Sequence, residues 1–437
     1  MVIYFILSFF ILISDQALPD KKIISQFRGP GRNGHYPEKN LLKKWPEKGP
    51  HMVWSYEGLG SGHGSVSISD DKIFVLGMTG TKGNLYTLDI NGKILRKQEY
   101  GEEWHETYGG SRSTPTVAGD LLYFESGHGV IYCFNTKTGK QVWALDILKK
   151  FNAQNITWGM AESLLIDGDR LFCTPGGPVN NIAALNRFTG ETIWTSEGNH
   201  QPAAYCSPLI FRHNKSTLLV TMTAASIVCV DAITGKFYWQ VPQFQSNKIH
   251  ANSPVYSNGY IYCVSQTGRV NSGMTALRLS DDGKSVHQEW RNQEISNLMG
   301  GFIIKDGYIY IARYQRKAWN CVDIRDGKIV YTTPGFGDGV IITADGLFYC
   351  YNEQGEMALV DATPSLFNVI SRFKVPLGTN EHWSHPVIHK GRLYVRHGNS
   401  LMVYNVSSEP TNSRSRSHTD TDTEAGNKHT EAGNKNL

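Results

Sequence analysis

A short phrase returns along this chain at a nearly fixed interval: an apolar run, a Thr-Gly-Lys or Asp-Gly-Lys turn, then Trp. It reads IYCFNTKTGKQVW at 131–143, IAALNRFTGETIW at 182–194 and IVCVDAITGKFYW at 227–239. Weaker copies are LYTLDINGKIL at 85–95, TALRLSDDGKSVHQEW at 275–290 and CVDIRDGKIVY at 321–331. Trp143, Trp194, Trp239 and Trp290 stand 51, 45 and 51 residues apart. A period of this size means stacked structural units, each burying a core against its neighbours.

Each unit divides into four strands. The first is short and often follows Ser-Pro or His-Pro, as in CSPLIF at 206–211 and HPVIH at 385–389. The second alternates aromatic and apolar residues, as in YIYCVS at 260–265, and the glycine turn joins the third to the fourth as a hairpin. First strands are expected near Ser65, Ser113, Ala161, Cys206, Asn252, Gly301, Gly339 and His385. The predicted fold is all-β: a single eight-bladed β-propeller of four-stranded antiparallel blades. The last unit, through SLMVYNV at 400–406, stops before its fourth strand, whereas MVWSYEG at 52–58 is a fourth strand without a unit. Pairing of Trp54 with residues near 401–406 is predicted to close the ring and hide both sheet edges. The repeat Trp, on the outermost strand, is expected to lie across the gap between neighbouring blades and hold them together.

The domain reading follows: a signal peptide at 1–17, an extended arm over the ring surface at 18–51, the propeller at 52–408 and a polar, disordered tail at 409–437. The apolar run at 2–13 is too short to span a bilayer and matches the hydrophobic part of a secretory signal. The expected location is therefore extracytoplasmic (periplasmic, cell-surface or secreted), with no transmembrane segment after signal removal. Seven cysteines, none in a CxxC spacing, sit mostly inside apolar strand runs and read as small core residues rather than as disulfides or metal ligands. A formal net charge of +4 excludes nucleic acid as a partner, and no glycine-rich phosphate loop opens a helix.

Loops leading into the first strands gather at one mouth of a propeller's channel. Here they carry His63, His105, His200, His250 and His382 at similar blade positions, together with Trp104, Trp158 and Trp383. The histidines come from separate blades without HxH or HExxH spacing, so a metal reading has no motif behind it. Trp104, His105, His200, His250 and His382 are the candidate ligand-binding residues of a pocket for a small or peptide-like molecule. The three tryptophans fit loop packing as well as ligand stacking.

The Thr-Gly-Lys–Trp phrase, with the opening FRGPGRNG at 27–34, resembles the pyrroloquinoline-quinone-like β-propeller repeat family over roughly 27–406. That family includes quinone-dependent alcohol dehydrogenases and cofactor-free scaffolds, among them a propeller lipoprotein of outer-membrane protein assembly. The dehydrogenase side implies pyrroloquinoline quinone and Ca²⁺, and so a flat aromatic floor, a cation for the quinone carboxylates and oxygen ligands for the metal. Trp158 or Trp383 would be the floor, Arg112 the cation, and Glu106 or Glu162, with Asp338 and Glu381, the metal ligands or base. The chain departs from these enzymes in lacking a vicinal Cys-Cys pair and long insertions. The expectation is a monomeric, exported, non-catalytic scaffold without cofactor, binding a protein, peptide or glycan at the channel mouth or blade edges. A quinone- and Ca-dependent alcohol or sugar dehydrogenase is the alternative.

Overall fold

A computed structural model describes residues 24–409 apart from 245–247, 267 and 269; the signal segment and nearly all of the tail lie outside the described residues. Eight antiparallel sheets follow one another along the chain. In the second, Thr116–Ala118, Leu121–Glu125, Val130–Asn135 and Gln141–Asp146 run in order from first strand to fourth. The eight first strands begin one to four residues beyond the predicted points, or at them in the case of Gly339–Ala344. Those of blades one and two, two and three, three and four, and six and seven touch each other, which places first strands on the inner side of the ring. Middle strands are buried on both faces, while the fourth alternates exposed and half-buried residues because one of its faces meets water. A four-residue helix, Ile147–Lys150, interrupts this plan, with the Asp146 carboxylate accepting from the Lys149 N–H at its start.

The ring closes as the sequence predicts. Met52–Tyr56 pairs antiparallel with Ser400–Asn405, setting Trp54 opposite Val403. The apolar core is divided into eight clusters, each built from two adjacent blades. The repeat phrase makes each joint. Asp231 accepts the Ile233 and Thr234 N–H groups, bending the chain into a turn that Gly235 completes at φ +76°. A register shift then falls between the third and fourth strands of every blade and re-aims the following residue. In the full copies that residue is Trp, lying over a small partner such as Cys133, Ala184 or Cys229. Its ring covers the turn glycine of the next blade: Trp54 on Gly92, Trp143 on Gly190, Trp194 on Gly235 and Trp290 on Gly327. The indole N–H of Trp54, Trp143, Trp239 and Trp290 donates to a carbonyl of that turn at 2.9–3.1 Å.

Where the repeat lacks Trp, other side chains make the same joint. Arg96 donates to the Thr136 and Lys137 carbonyls, and Tyr331 donates to the Thr363 carbonyl. Blade seven has Ser371 at this position, and Trp45 of the N-terminal arm fills the gap, its backbone N–H donating to the Ser371 hydroxyl. The Trp45 ring packs on Tyr349 and Phe373.

The first part of the arm runs into the ring, while residues 37–48 are largely exposed. His35–Tyr36 pairs parallel with the first strand of blade seven, and Ser25 bridges Val117 on that of blade two. Between them, FRGPGRNG crosses the axis with Arg28 and Arg32 each only 3% exposed. Arg28 donates to the Asn33, Phe302 and Ile341 carbonyls and to His385 Nδ1; Arg32 donates to the Ser163 and Leu164 carbonyls. Both take positive φ, at 59° and 53°, a strained conformation held by these bonds. The channel is plugged by the chain's own N-terminal segment.

Candidate functional site

The plug turns the channel mouth into a blind cavity of about 320 Å³. Phe27 and His385 form part of its floor, their rings edge to face at 5.1 Å. His385 is locked from both sides, accepting from Arg28 at Nδ1 and donating to the Met299 carbonyl from Nε2. Burial and the Arg28 charge push its pKa down to about 3, so it stays neutral.

Loops entering the first strands supply the walls. Trp383 stands against Tyr108 at 5.2 Å and against His63 at 5.1 Å, both tilted. Across from them Trp158 meets Tyr205 at 6.1 Å, and the Tyr205 hydroxyl accepts the Trp158 N–H. Arg112 donates to the Tyr108 carbonyl at 2.5 Å, and its guanidinium makes no ion pair among the described residues. Burial, with Arg112 and Arg396 nearby, brings His63 down to about 3. Lower down, Thr114, Ser163 and Ser207 repeat one contact: Thr114 Oγ1 accepts the Ser65 N–H, Ser163 Oγ the Thr114 N–H and Ser207 Oγ the Ser163 N–H, at 2.9–3.0 Å.

Arg112, Trp158 and Trp383, the residues expected to hold a quinone, therefore line one cavity. The metal residues do not join them. Glu106 is exposed on the rim. Glu162 is buried, accepts the Thr174 N–H, and is pushed up to about 8 by burial beside Glu125. Asp338 accepts the Gln315 N–H, and Glu381 lies 4.0 Å from His63. No three His, Cys, Asp or Glu side chains among the described residues are placed to hold a metal. The cavity thus offers the aromatic and cationic parts of a quinone site without its calcium ligands, a donor set that does not fit the pair. All seven cysteines are buried free thiols.

The five expected ligand-binding residues lie around the cavity rather than in its lining. Trp104 is 7% exposed, its indole bonded to the Thr107 carbonyl, its ring packed on Gly159 and its Cβ on Gly127, which makes it a loop support. His105 is exposed and bonded to the Glu103 carbonyl. His200, bonded to the Pro178 carbonyl, edges a second, more polar cavity of about 500 Å³ that shares Tyr205 with the first. His250 is fully buried and pushed down to about 4 by that burial. His382 bonds to Tyr351 and stacks on His397 at 3.7 Å. Phe27, Tyr108, Tyr205 and Tyr314 line the cavity and were not singled out in the sequence. Tyr108 and Tyr205 stand in the loops identified as mouth-forming, whereas Phe27 belongs to the arm and Tyr314 to a loop between the second and third strands of blade six.

Comparisons with known proteins agree with this architecture. A family model described as outer membrane protein assembly factor BamB matches residues 44–146 and 81–333. The chain is 22% identical over 311 residues to outer membrane protein assembly factor BamB of Shewanella oneidensis, covering 68% of this chain and 70% of the relative. The BamB structure from Moraxella catarrhalis superposes with a TM-score of 0.58 at 12% identity, over 82% of this chain and 99% of that one. A europium-containing methanol dehydrogenase gives 0.61 at 12% identity, over 86% and 90%. At such identities the two structures share the fold alone with this chain.

Proposed function

Because this chain belongs to the outer membrane protein assembly factor BamB family, we propose that it is a non-catalytic scaffold outside the cytoplasm that receives its ligand, a protein, peptide or glycan, in the channel-mouth cavity. The observation that carries this reading is the plug. By closing the channel with Phe27–Arg32 the chain makes a rigid pocket with a floor, two aromatic walls and one unpaired cation, the composition of a recognition site. Of the acidic candidates, Glu162 and Asp338 each accept a backbone N–H, from Thr174 and Gln315, and neither lines the cavity. Its relatives' name connects them with outer-membrane assembly, which fits an exported chain with a signal-like N-terminus.

An array of envelope-derived peptides and glycans probed with the full-length protein tests this. Ligand binding is expected to weaken about tenfold or more in Trp158→Ala and in Trp383→Ala, as loss of an aromatic wall implies. Binding that survives both changes would move the ligand off the mouth. The same protein supplied with pyrroloquinoline quinone, Ca²⁺ and alcohols is expected to leave an electron-accepting dye oxidised; sustained reduction dependent on Arg112 would replace the scaffold by a dehydrogenase.

A further inference from the structure

The mouth cavity carries an imbalance of hydrogen-bonding groups that narrows its ligand. Thr114, Ser163 and Ser207, each under a twentieth exposed, already accept a backbone N–H, so each hydroxyl proton remains to be donated. They line the same cavity as Arg112, whose guanidinium can only donate. No carboxylate lines this cavity, and His63 and His385 are neutral within it. Beside these donors and the one positive charge, the lining side chains able to accept are a ring nitrogen of His63, with Glu381 4.0 Å from that ring, and the tyrosine hydroxyls, so donors are in the majority.

We propose that this cavity holds the terminal uronic acid residue of an acidic glycan, its carboxylate on Arg112 and its ring between the Trp383 and Trp158 walls. This rests on the scaffold reading and names the ligand of the same pocket. A pocket of about 320 Å³ closed from below takes a chain end of about one ring, at the small end of ligand sites. The electron-rich faces of Trp158 and Trp383 attract the polarised C–H groups of a pyranose. Ring, glycosidic and carboxylate oxygens supply the acceptors that the three hydroxyls lack. A peptide end would bring a carboxylate as well, but its amide N–H groups would meet a lining already rich in donors. The next sugar has room across Tyr205, in the polar cavity bordered by Asn152, Gln154, Asn155 and His200.

Titration calorimetry on the full-length protein decides it, with digalacturonate, its neutral counterpart digalactose, and a tripeptide ending in Phe as probes. Digalacturonate is expected to bind about tenfold or more tightly than digalactose, as a charge-assisted pair implies. Arg112→Gln should erase that preference, Arg112→Lys should keep part of it, and Ser163→Ala should weaken both sugars, with thermal unfolding of each variant certifying the fold. Equal affinity for the two sugars, or no uronate binding at millimolar concentration, overturns the proposal. Peptide binding that needs Trp158 and Trp383 overturns the sugar assignment and leaves the mouth as the binding site. Binding indifferent to both tryptophans overturns the two readings together.

Discussion

At the scale of single residues, the repeat Trp acts as a wedge and a hydrogen-bond donor, and the two roles separate between blades. Trp194 and Trp239 cover neighbouring joints. Trp239 donates to the Gly283 carbonyl, whereas the buried Trp194 indole nitrogen has no partner. Trp239→Phe is therefore expected to cost about 1 kcal/mol more than Trp194→Phe, the net worth of one hydrogen bond. Urea unfolding of the two variants measures the difference, and equal losses would show that the bond contributes nothing. The glycine beneath is equally constrained: a Cβ at Gly235 would stand 2.5 Å from Trp194 Cε3, at φ +76°. Gly235→Ala should destabilise by roughly 1–3 kcal/mol through strain and the displaced ring. The wedge itself was legible in the sequence because Trp and the turn recur together. Arg96, Tyr331 and the Ser371–Trp45 pair were not, since unlike side chains reach the same turn through register alone, and Trp45 arrives from outside the repeat.

At the scale of elements, the N-terminal arm combines an interior position with a polar composition. Its Gly and Pro content suggests an extended segment over the surface. Residues 27–34 instead form a run of turns with positive φ at Arg28, Gly29, Arg32 and Gly34, and the two arginines are buried. They are buried because the first strands of several blades end on the axis with carbonyls that their blades leave free, and a guanidinium with five donors can satisfy several at once. That supply of acceptors belongs to the assembled ring and has no trace in local sequence. The cavity was half legible for a related reason. The loops were located by the repeat, and Arg112, Trp158 and Trp383 were picked from them, but which side chain of a loop turns inward depends on the plug beneath. Arg28→Ala removes donors to three carbonyls and to His385. The arm should then open, seen as faster hydrogen exchange at the Thr343 amide, which bonds the Gly34 carbonyl, and as new proteolytic cuts near Gly29–Gly34. Unchanged protection at Thr343 would mean that the strand His35–Tyr36 and the Trp45 joint hold the plug without Arg28.

At the scale of the whole molecule, buried titratable groups of opposite kinds set the pH at which the ring is most stable. Burial lowers six histidines: His63 and His385 are pushed down to about 3, with Arg112 and Arg28 assisting, His250 and His382 to about 4, and His35 and His389 are lowered as well. Below pH ~6.5 the unfolded chain takes up protons at these sites that the folded ring refuses, so stability is lost as pH falls. Burial acts in reverse on carboxyls: Glu162 is pushed up to about 8, its neighbour Glu125 is raised, Glu103 is raised, and Glu353 rises to about 7 beside Asp338. From pH ~4.5 upward the unfolded chain releases protons that the folded ring retains, so these groups lower stability as pH rises. Between pH ~4.5 and ~6.5 six histidines outweigh four carboxyls, and above that range the carboxyls dominate. Stability should therefore peak near pH 6.5 and decline toward pH 8, with Glu162 contributing at most about 1.4 kcal/mol per pH unit. Glu162→Gln keeps an oxygen for the Thr174 N–H and removes the titration, so its midpoint should fall less between pH 6.5 and 8 than that of the parent. Chemical unfolding across that range is the measurement; parallel declines in the two proteins would assign the alkaline loss to other groups.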